Sequence, residues 1–408
     1  MSLSKVEKVL SQELSGLKEK GSLKGEETVI TGVKQPQGDK GPRYSIQGYG
    51  DKEFLKMNSN SYLGMGLRKE VIEAEEEAAK EFGAGPGAVR FISGTYKPHV
   101  ELERRLARFH NKEAGMIFSS AYATVMGILS PLISKDTIVI SDALNHNCII
   151  NAIRLSRPKD KKIYSHNNMD ELESAIKESI GNCQRAIIVT DGIFSMRGDH
   201  APLPGIADLA EKYDPEFEEG ILTIVDDSHG VGAIGETGRG ATEFTHEDRI
   251  DILVSTMGKA LGVNGGYLVS DAKVIEYLRE TAPFYIYSNP ITVSEASAAL
   301  KALEILNSDT GRKMLKYLRD TTTYFRKGLV DLGYEVIKGE HPVVPLMVRD
   351  TKKTIALVRY LKDNGILSTG LYYPVVPKGD EEIRFQICAD HTKYDVDYVL
   401  EVLKEYKL

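Results

Sequence analysis

From Gly115 onward the chain repeats one pattern: a short apolar run, a turn of small polar residues, then a stretch with helical spacing. The apolar runs are Gly115–Phe118, Thr137–Ile140, Ala186–Val189, Leu222–Val225, Ile252–Val254 and Tyr267–Val269. They have strand length and are rich in β-branched and aromatic residues. Helical patterns such as Ile206–Tyr213 fall between most of them. Strands joined through helices require crossover connections, so the pattern predicts an α/β fold with a mostly parallel sheet covered on both faces. Ligands of such sheets gather at the carboxyl ends of the strands. The residues that follow each run are therefore the candidates for chemistry.

The flanks read differently. Val6, Val9, Leu10, Leu14 and Leu17 give residues 3–20 one apolar helical face, as in a docking helix. Residues 21–50, rich in Gly, Pro and Lys, read as an extended arm, and Phe54–Met57 as a short strand. Helices are expected at Glu70–Phe82, ending in Gly83-Ala84-Gly85-Pro86-Gly87, and at His99–Phe109. Beyond Pro290 two long helical patterns, Thr292–Leu306 and Gly311–Leu332, lead to a strand at Val343–Val348, a helix at Lys353–Asn364, a strand near Ile383–Ile387 and a last helix from Tyr394. The expected division is an N-terminal helix and arm (1–57), a large domain (58–290) and a smaller α+β domain (291–408).

Composition excludes several classes. A net charge of -7 in 408 residues argues against general binding of nucleic acid or of anionic membranes. No apolar stretch reaches membrane-span length, and Leu3–Lys20 is too charged for a signal peptide. Cys148, Cys183 and Cys388 are scattered, which fits reduced thiols in a cytoplasmic protein rather than a disulfide frame or a zinc site.

Five strand ends carry the candidate chemistry. Lys259 follows the run Ile252–Val254 and is ringed by Gly258, Gly262, Gly265 and Gly266, which would let a ligand approach. A desolvated lysine there can form a Schiff base; the alternative is a solvated loop lysine. Ser119-Ser120-Ala121-Tyr122 opens a helix, whose free amides suit a phosphate unless Ser120 is only a cap. His146 ends Ser141-Asp142-Ala143-Leu144-Asn145-His146 and is either structural or a ligand contact. Ser195, in Thr190–Gly198, lacks a G-x-S-x-G elbow and is not read as a hydrolase nucleophile. Asp226, Asp227 and His229 would suit a metal, or a cationic nitrogen could pair a buried carboxylate.

Two further patterns lead nowhere. Gly230-Val231-Gly232-Ala233-Ile234-Gly235 fits a dinucleotide fingerprint, but Glu236-Thr237-Gly238-Arg239-Gly240 breaks the helix that should follow. Gly258-Lys259 lacks both the leading glycine and the hydroxyl of an ATP loop. A lysine, a carboxylate, two histidines, hydroxyls and a phosphate cradle at the ends of one sheet are what pyridoxal 5'-phosphate requires.

At this point the chain resembles the α-oxoamine synthases, pyridoxal-phosphate enzymes of the aspartate-aminotransferase fold. The resemblance runs from about Asn58 to His391 and rests on N-S-Y-L-G, V-R-F-I-S-G-T, S-D-A-L-N-H, T-D-G-I-F-S-M-x-G-D, V-D-D-S-H-G-V-G, T-M-G-K-A-L-G and Y-Y-P-V-V-P-K-G. Three of these place it nearest the glycine C-acetyltransferase branch: V-R-F-I-S-G-T, I-S-D-A-L-N-H and G-L-Y-Y-P-V-V-P-K-G. The short loop after Lys259, Ala260-Leu261-Gly262-Val263-Asn264-Gly265-Gly266-Tyr267, and Gly198–Leu203 lean toward 8-amino-7-oxononanoate synthase. The resemblance implies condensation of glycine with acetyl-CoA to 2-amino-3-oxobutyrate and CoA, in a homodimer with shared active sites. The alternative is alanine with a pimeloyl thioester, or the reaction of another member such as serine palmitoyltransferase.

The resemblance also assigns roles. Lys259 would hold the cofactor and act as base, and Asp226 would pair with the pyridine nitrogen. His229 with Ser195 would bond the phenolic oxygen, and His146 would stack on the ring. Thr256, the amides of Ala121 and Tyr122, and Ser288 from a second subunit would hold the phosphate. Asn60 and Arg384 would grip the substrate carboxylate, the latter through its bidentate fork.

Overall fold

The computed structural model of the chain describes residues 3–20, 23, 27–373 and 375–406. Residues 21, 22 and 24–26 of the expected arm, and Pro374 of the Y-Y-P-V-V-P-K-G motif, lie outside the described residues. Fourteen strands are described: β1 (Ile30–Lys34), β2 (Arg43–Ile46), β3 (Glu53–Lys56), β4 (Ala114–Phe118), β5 (Thr137–Asp142), β6 (Asp160–Tyr164), β7 (Arg185–Asp191), β8 (Ile221–Asp226), β9 (Ile252–Thr256), β10 (Gly266–Ser270), β11 (Val343–Met347), β12 (Ile366–Leu367), β13 (Thr369–Leu371) and β14 (Glu382–Gln386).

The chain divides into two compact units: Asn60–Thr322 with Gly339–Pro342, and Met1–Ser59 with Thr323–Lys338 and Val343–Leu408. The division near Pro290 expected from texture falls instead inside the helix Asp309–Asp331. The reason is packing: the helix Val293–Leu306 lies against the helices Lys69–Phe82 and Lys97–Phe109 and so belongs with the larger unit. The expected N-terminal segment 1–57 likewise groups with the C-terminal part of the chain, where β3 pairs in parallel with β12.

The larger unit is built on a seven-stranded sheet in the order β4-β10-β9-β8-β7-β5-β6. The pairs β9–β8, β8–β7, β7–β5 and β5–β6 are parallel, and β10 alone runs antiparallel to both of its neighbours. That reversal follows from connection length, since β9 and β10 are joined by a loop without a helix. All positions of β5 and β10 are buried on alternating sides, so helices cover both faces, as the continuous apolar runs require. Ile128, Leu129, Ile149 and Ile153 from two helices pack with Ile187, Val189, Ile224, Val254 and Leu268 of the strands in one core. The strand β6 (Asp-Lys-Lys-Ile-Tyr) was not expected from the sequence; it is a polar edge strand with only Tyr164 buried.

V-R-F-I-S-G-T serves this scaffold. The Arg90 guanidinium meets the Glu103 carboxylate at 3.0 Å, and Arg279 joins the same carboxylate at 2.8 Å. Glu103 also accepts the Ile117 amide of β4 at 3.1 Å. Arg90 Nε donates to Thr95 Oγ1 at 2.9 Å, and a Cβ on Gly94 would stand 1.9 Å from the Ala88 carbonyl oxygen.

The smaller unit holds two sheets, β1-β2-β3-β12 and β11-β14-β13. The region expected as an extended arm therefore contributes two paired strands, β1 and β2. The helix Leu3–Glu19 forms as its spacing predicts, and Leu3, Val6, Leu10, Leu14 and Leu17 on it are exposed.

Candidate active site

In the larger unit, strand ends converge on one cavity. Ala121, Tyr122, His146, Asp226, His229, Thr256 and Lys259 all line it. Cys148, Asp191, Ile193 and Ser228 complete the wall, and none of these four had an expected role. Asp191 and Asp226 are the last residues of β7 and β8 and stand opposite each other in register. Thr256 ends β9, and Ala121 opens the helix Ala121–Leu132 after β4.

The Asp226 carboxylate is fixed from two sides. Its Oδ1 accepts the Ser228 amide at 3.1 Å, and its Oδ2 takes a hydrogen bond from the Cys148 thiol at 3.7 Å. Neighbouring Asp191 accepts the His146 amide at 3.1 Å. Burial, reinforced by the Asp226 charge beside it, holds the Asp191 carboxyl well above the usual carboxylate range. His146 caps the helix Asn147–Ser156 and lines the cavity as well, so the structural and ligand readings are both met. Burial pushes its ring below the ordinary histidine value, with Lys259 adding to the effect. Ser120 is indeed a cap, its Oγ accepting the Ala123 amide at 3.1 Å. The amides of Ala121 and Tyr122 stand in the helix's first turn, where the helix itself supplies no acceptor.

The loop that carries Lys259 is closed by its own backbone. Met257 N donates to Gly265 O at 2.9 Å, Val263 N to Met257 O at 3.1 Å and Gly262 N to Lys259 O at 3.0 Å. Its glycines were expected to admit a ligand, and two of them, Gly262 and Gly266, instead admit backbone. Gly262 has a φ of 69° and lies so near Gly66 that a Cβ would come 2.3 Å from its nitrogen. Gly265 has a φ of 121°, and a Cβ on Gly266 would stand 2.3 Å from the Ala121 nitrogen. Gly258 alone has room, with Thr256 Oγ1 nearest at 3.3 Å.

His229 lines the cavity, and its Nδ1 lies 2.7 Å from the Tyr62 hydroxyl, which reaches Asn60 Oδ1 at 3.4 Å. The His229 carbonyl accepts from His341 Nε2 at 2.7 Å. Ser195 lies outside the lining, two residues beyond Ile193, on a loop that His166 braces. His166 meets Asp142 at 3.1 Å and Asp199 at 3.2 Å. Burial would lower its pKa, but the two carboxylates outweigh that and raise it to about 9. Ser288 follows the short helix Pro283–Ile286 and is not part of the cavity wall. Arg384 is on β14 in the smaller unit, where its Nε and NH2 reach the Gln386 amide oxygen at 2.8 and 2.6 Å once that amide is oriented to accept.

The metal reading fails on Asp227. Its side chain turns away into a cage of glycines and accepts the Ala241 amide at 2.7 Å. Among the described residues, no group of three or more His, Cys, Asp or Glu side chains could hold a metal. Nor does a helix follow Gly235 directly; turns run to the four-residue helix Ala241–Phe244, which excludes a dinucleotide fingerprint.

A pyridoxal phosphate fits what remains. Ser228 Oγ is buried at the cavity with no hydrogen-bond partner among the described residues. A lysine and a carboxylate share the wall with two histidines, a threonine hydroxyl and a helix N-terminus. The chain matches the aminotransferase class I and II family over residues 52–403. It is 39% identical over 373 residues to 8-amino-7-oxononanoate synthase 1 of Bacillus velezensis, covering 91% of this chain and 92% of that one. The 8-amino-7-oxononanoate synthase of Petrotoga mobilis is 38% identical, covering 96% and 95%. A serine palmitoyltransferase structure from Sphingomonas wittichii superposes with a TM-score of 0.87 at 26% identity, covering 98% and 97%. The expectation that the chain stands nearest glycine C-acetyltransferase finds no support among these relatives. The chain belongs to the aminotransferase class I and II family, and within it to the pyridoxal-phosphate-dependent α-oxoamine synthases.

Proposed function

We propose that this chain joins alanine to a pimeloyl thioester, forming 8-amino-7-oxononanoate with release of the thiol and carbon dioxide. The observation that carries the reading is the set of relatives named 8-amino-7-oxononanoate synthase, 36–40% identical across 87–97% of the chain. The short loop after Lys259 supports it.

Bound pyridoxal phosphate supplies the electron sink for a carbanion at the amino acid's α-carbon. Lys259 Nζ holds the cofactor and then moves the α-proton. Asp226 would pair with the pyridine nitrogen and keep it protonated, next to Asp191, whose carboxyl burial holds well above the usual carboxylate range. His146 covers the ring face. His229, held by Tyr62, donates to the phenolic oxygen together with Ser195. Thr256 Oγ1 and the amides of Ala121 and Tyr122 take the phosphate, joined by Ser288 of the partner subunit. Asn60 would hold the substrate carboxylate. The homodimer this requires is supported by large apolar side chains left in solvent, Phe91 at 68% and Tyr287 at 78% exposure.

The test is a matrix of alanine, glycine and serine against pimeloyl-, acetyl- and palmitoyl-CoA, read as thiol release by the loaded enzyme with Lys259→Ala as the inactive control. Alanine with pimeloyl-CoA should be fastest. Faster turnover of glycine with acetyl-CoA would return the assignment to 2-amino-3-oxobutyrate.

A further inference from the structure

Cys148 is the second residue of the helix Asn147–Ser156 and is only 2% exposed at the cavity wall. Its Sγ lies 2.9 Å from His146 Nδ1 and 3.7 Å from Asp226 Oδ2. The backbone amide of the same residue also donates to His146 Nδ1, at 3.3 Å. That nitrogen therefore accepts, and the ring carries its proton on Nε2. Among the described residues the Asp226 carboxylate accepts two hydrogen bonds, one from the backbone amide of Ser228 and one from this thiol. Burial, followed by the charges of Asp226 and Asp191, pushes the thiol far above its ordinary value. A thiol so placed keeps its proton and donates; it is not a nucleophile.

We propose that Cys148 is a positioning residue of the cofactor site: its single S–H, shared between His146 Nδ1 and Asp226 Oδ2, holds the imidazole and the carboxylate together. One sulfur then sets both the plane of the His146 ring and the orientation of the Asp226 carboxylate. The inference rests on pyridoxal phosphate occupying this cavity. Alanine at 148 removes that one shared donor, whereas serine keeps a donor on the same stem.

The experiment compares the parent, Cys148→Ala and Cys148→Ser after removal and reloading of pyridoxal phosphate, without substrate. It reads the cofactor dissociation constant and the pH midpoint of the cofactor's visible band. Alanine should weaken binding about tenfold, as expected for a lost hydrogen bond to a charged group, and displace the midpoint. Serine should recover both readings toward the parent. An alanine variant with the parent's constant and midpoint overturns the proposal, and so does serine failing as badly as alanine while both unfold at the parent's temperature. The infrared S–H stretch of the parent, assigned as the band lost in Cys148→Ser, gives a reading that needs no alanine variant to fold. A lowered, hydrogen-bonded frequency supports the role, and a free-thiol frequency overturns it. A parent that takes up no pyridoxal phosphate would instead sink the cofactor assignment.

Discussion

The loop after β8 holds Gly230, Gly232, Gly235, Gly238 and Gly240, and the loop after β9 holds Gly258, Gly262 and Gly265. In sequence the two look alike, as flexible rims around a ligand. After β8, glycines clear space for one buried side chain. A Cβ on Gly230 would stand 2.0 Å from Asp227 Oδ1, one on Gly240 1.8 Å from Oδ2, and one on Gly192 of the neighbouring loop 2.6 Å from Oδ1. After β9, glycines let backbone meet backbone, Gly262 against Gly66 and Gly266, at the start of β10, against Ala121. The difference shows that a glycine cluster beside an active site reports close packing first. The cavity is lined instead by residues beside the glycines: Asp226, His229 and Lys259.

The sharpest way to break this comparison is Gly240→Ala. The new methyl group meets the Asp227 carboxylate and the residue sits at a φ of 90°, so a loss of about 3 kcal/mol or more is expected in urea unfolding. A loss below about 1 kcal/mol would mean that the cage yields. Next, within the β9 loop, Gly262→Ala should cost about 2 kcal/mol through strain and contact with Gly66. Gly258→Ala has space and should stay within about 0.5 kcal/mol of the parent. Equal effects at the two positions would erase the distinction between open and backbone-packed glycines.

Asp227 gives the finest resolution, because its effect is read as a slope against pH. Burial raises its pKa well above the ordinary value, since an unpaired buried charge would cost several kcal/mol. A raised carboxyl pKa means the folded chain binds a proton that the unfolded chain releases. The stability this contributes is complete below the unfolded value near pH 4 and is lost as pH rises through the folded value. Asp227→Asn removes that dependence. Relative to the parent it should gain at most about 1.4 kcal/mol per pH unit as pH rises above the unfolded value toward the raised folded one. Parallel stability curves for the two proteins would show Asp227 to be ionised in its cage.

Much of the site was legible because strand ends concentrate it. Lys259, Asp226, His229 and His146 each follow an apolar run, and the fold brings them to one cavity. Cys148 and Tyr62 were missed because their roles are made by distance: Cys148 reaches a carboxylate 78 residues away, and Tyr62 a histidine 167 residues away. No local spacing encodes such contacts. Strand β6 was missed because an edge position tolerates lysines, and β1 and β2 because Gly and Pro mask a hairpin-like pair. The branch was misleading for a physical reason. V-R-F-I-S-G-T braces β4 through Arg90 and Glu103, and Asn145 of I-S-D-A-L-N-H donates to the Val189 carbonyl at 2.8 Å. Motifs that hold a scaffold together carry little information about which acyl group fits.

The antiparallel strand β10 has a consequence for how the chain assembles. In the large sheet β4 pairs with β10 and with no other described strand, Gly266 lying opposite Phe118. About 150 residues separate these partners, so the edge that carries Ala121 closes only after the intervening strands are in place. On a ribosome, the helix Ala121–Leu132, whose first residues line the cavity, waits for almost all of the larger unit to emerge. Cofactor capture is thereby reserved for chains that have already built the sheet, and a truncated or misregistered product forms no complete cradle to draw on the cell's supply of pyridoxal phosphate.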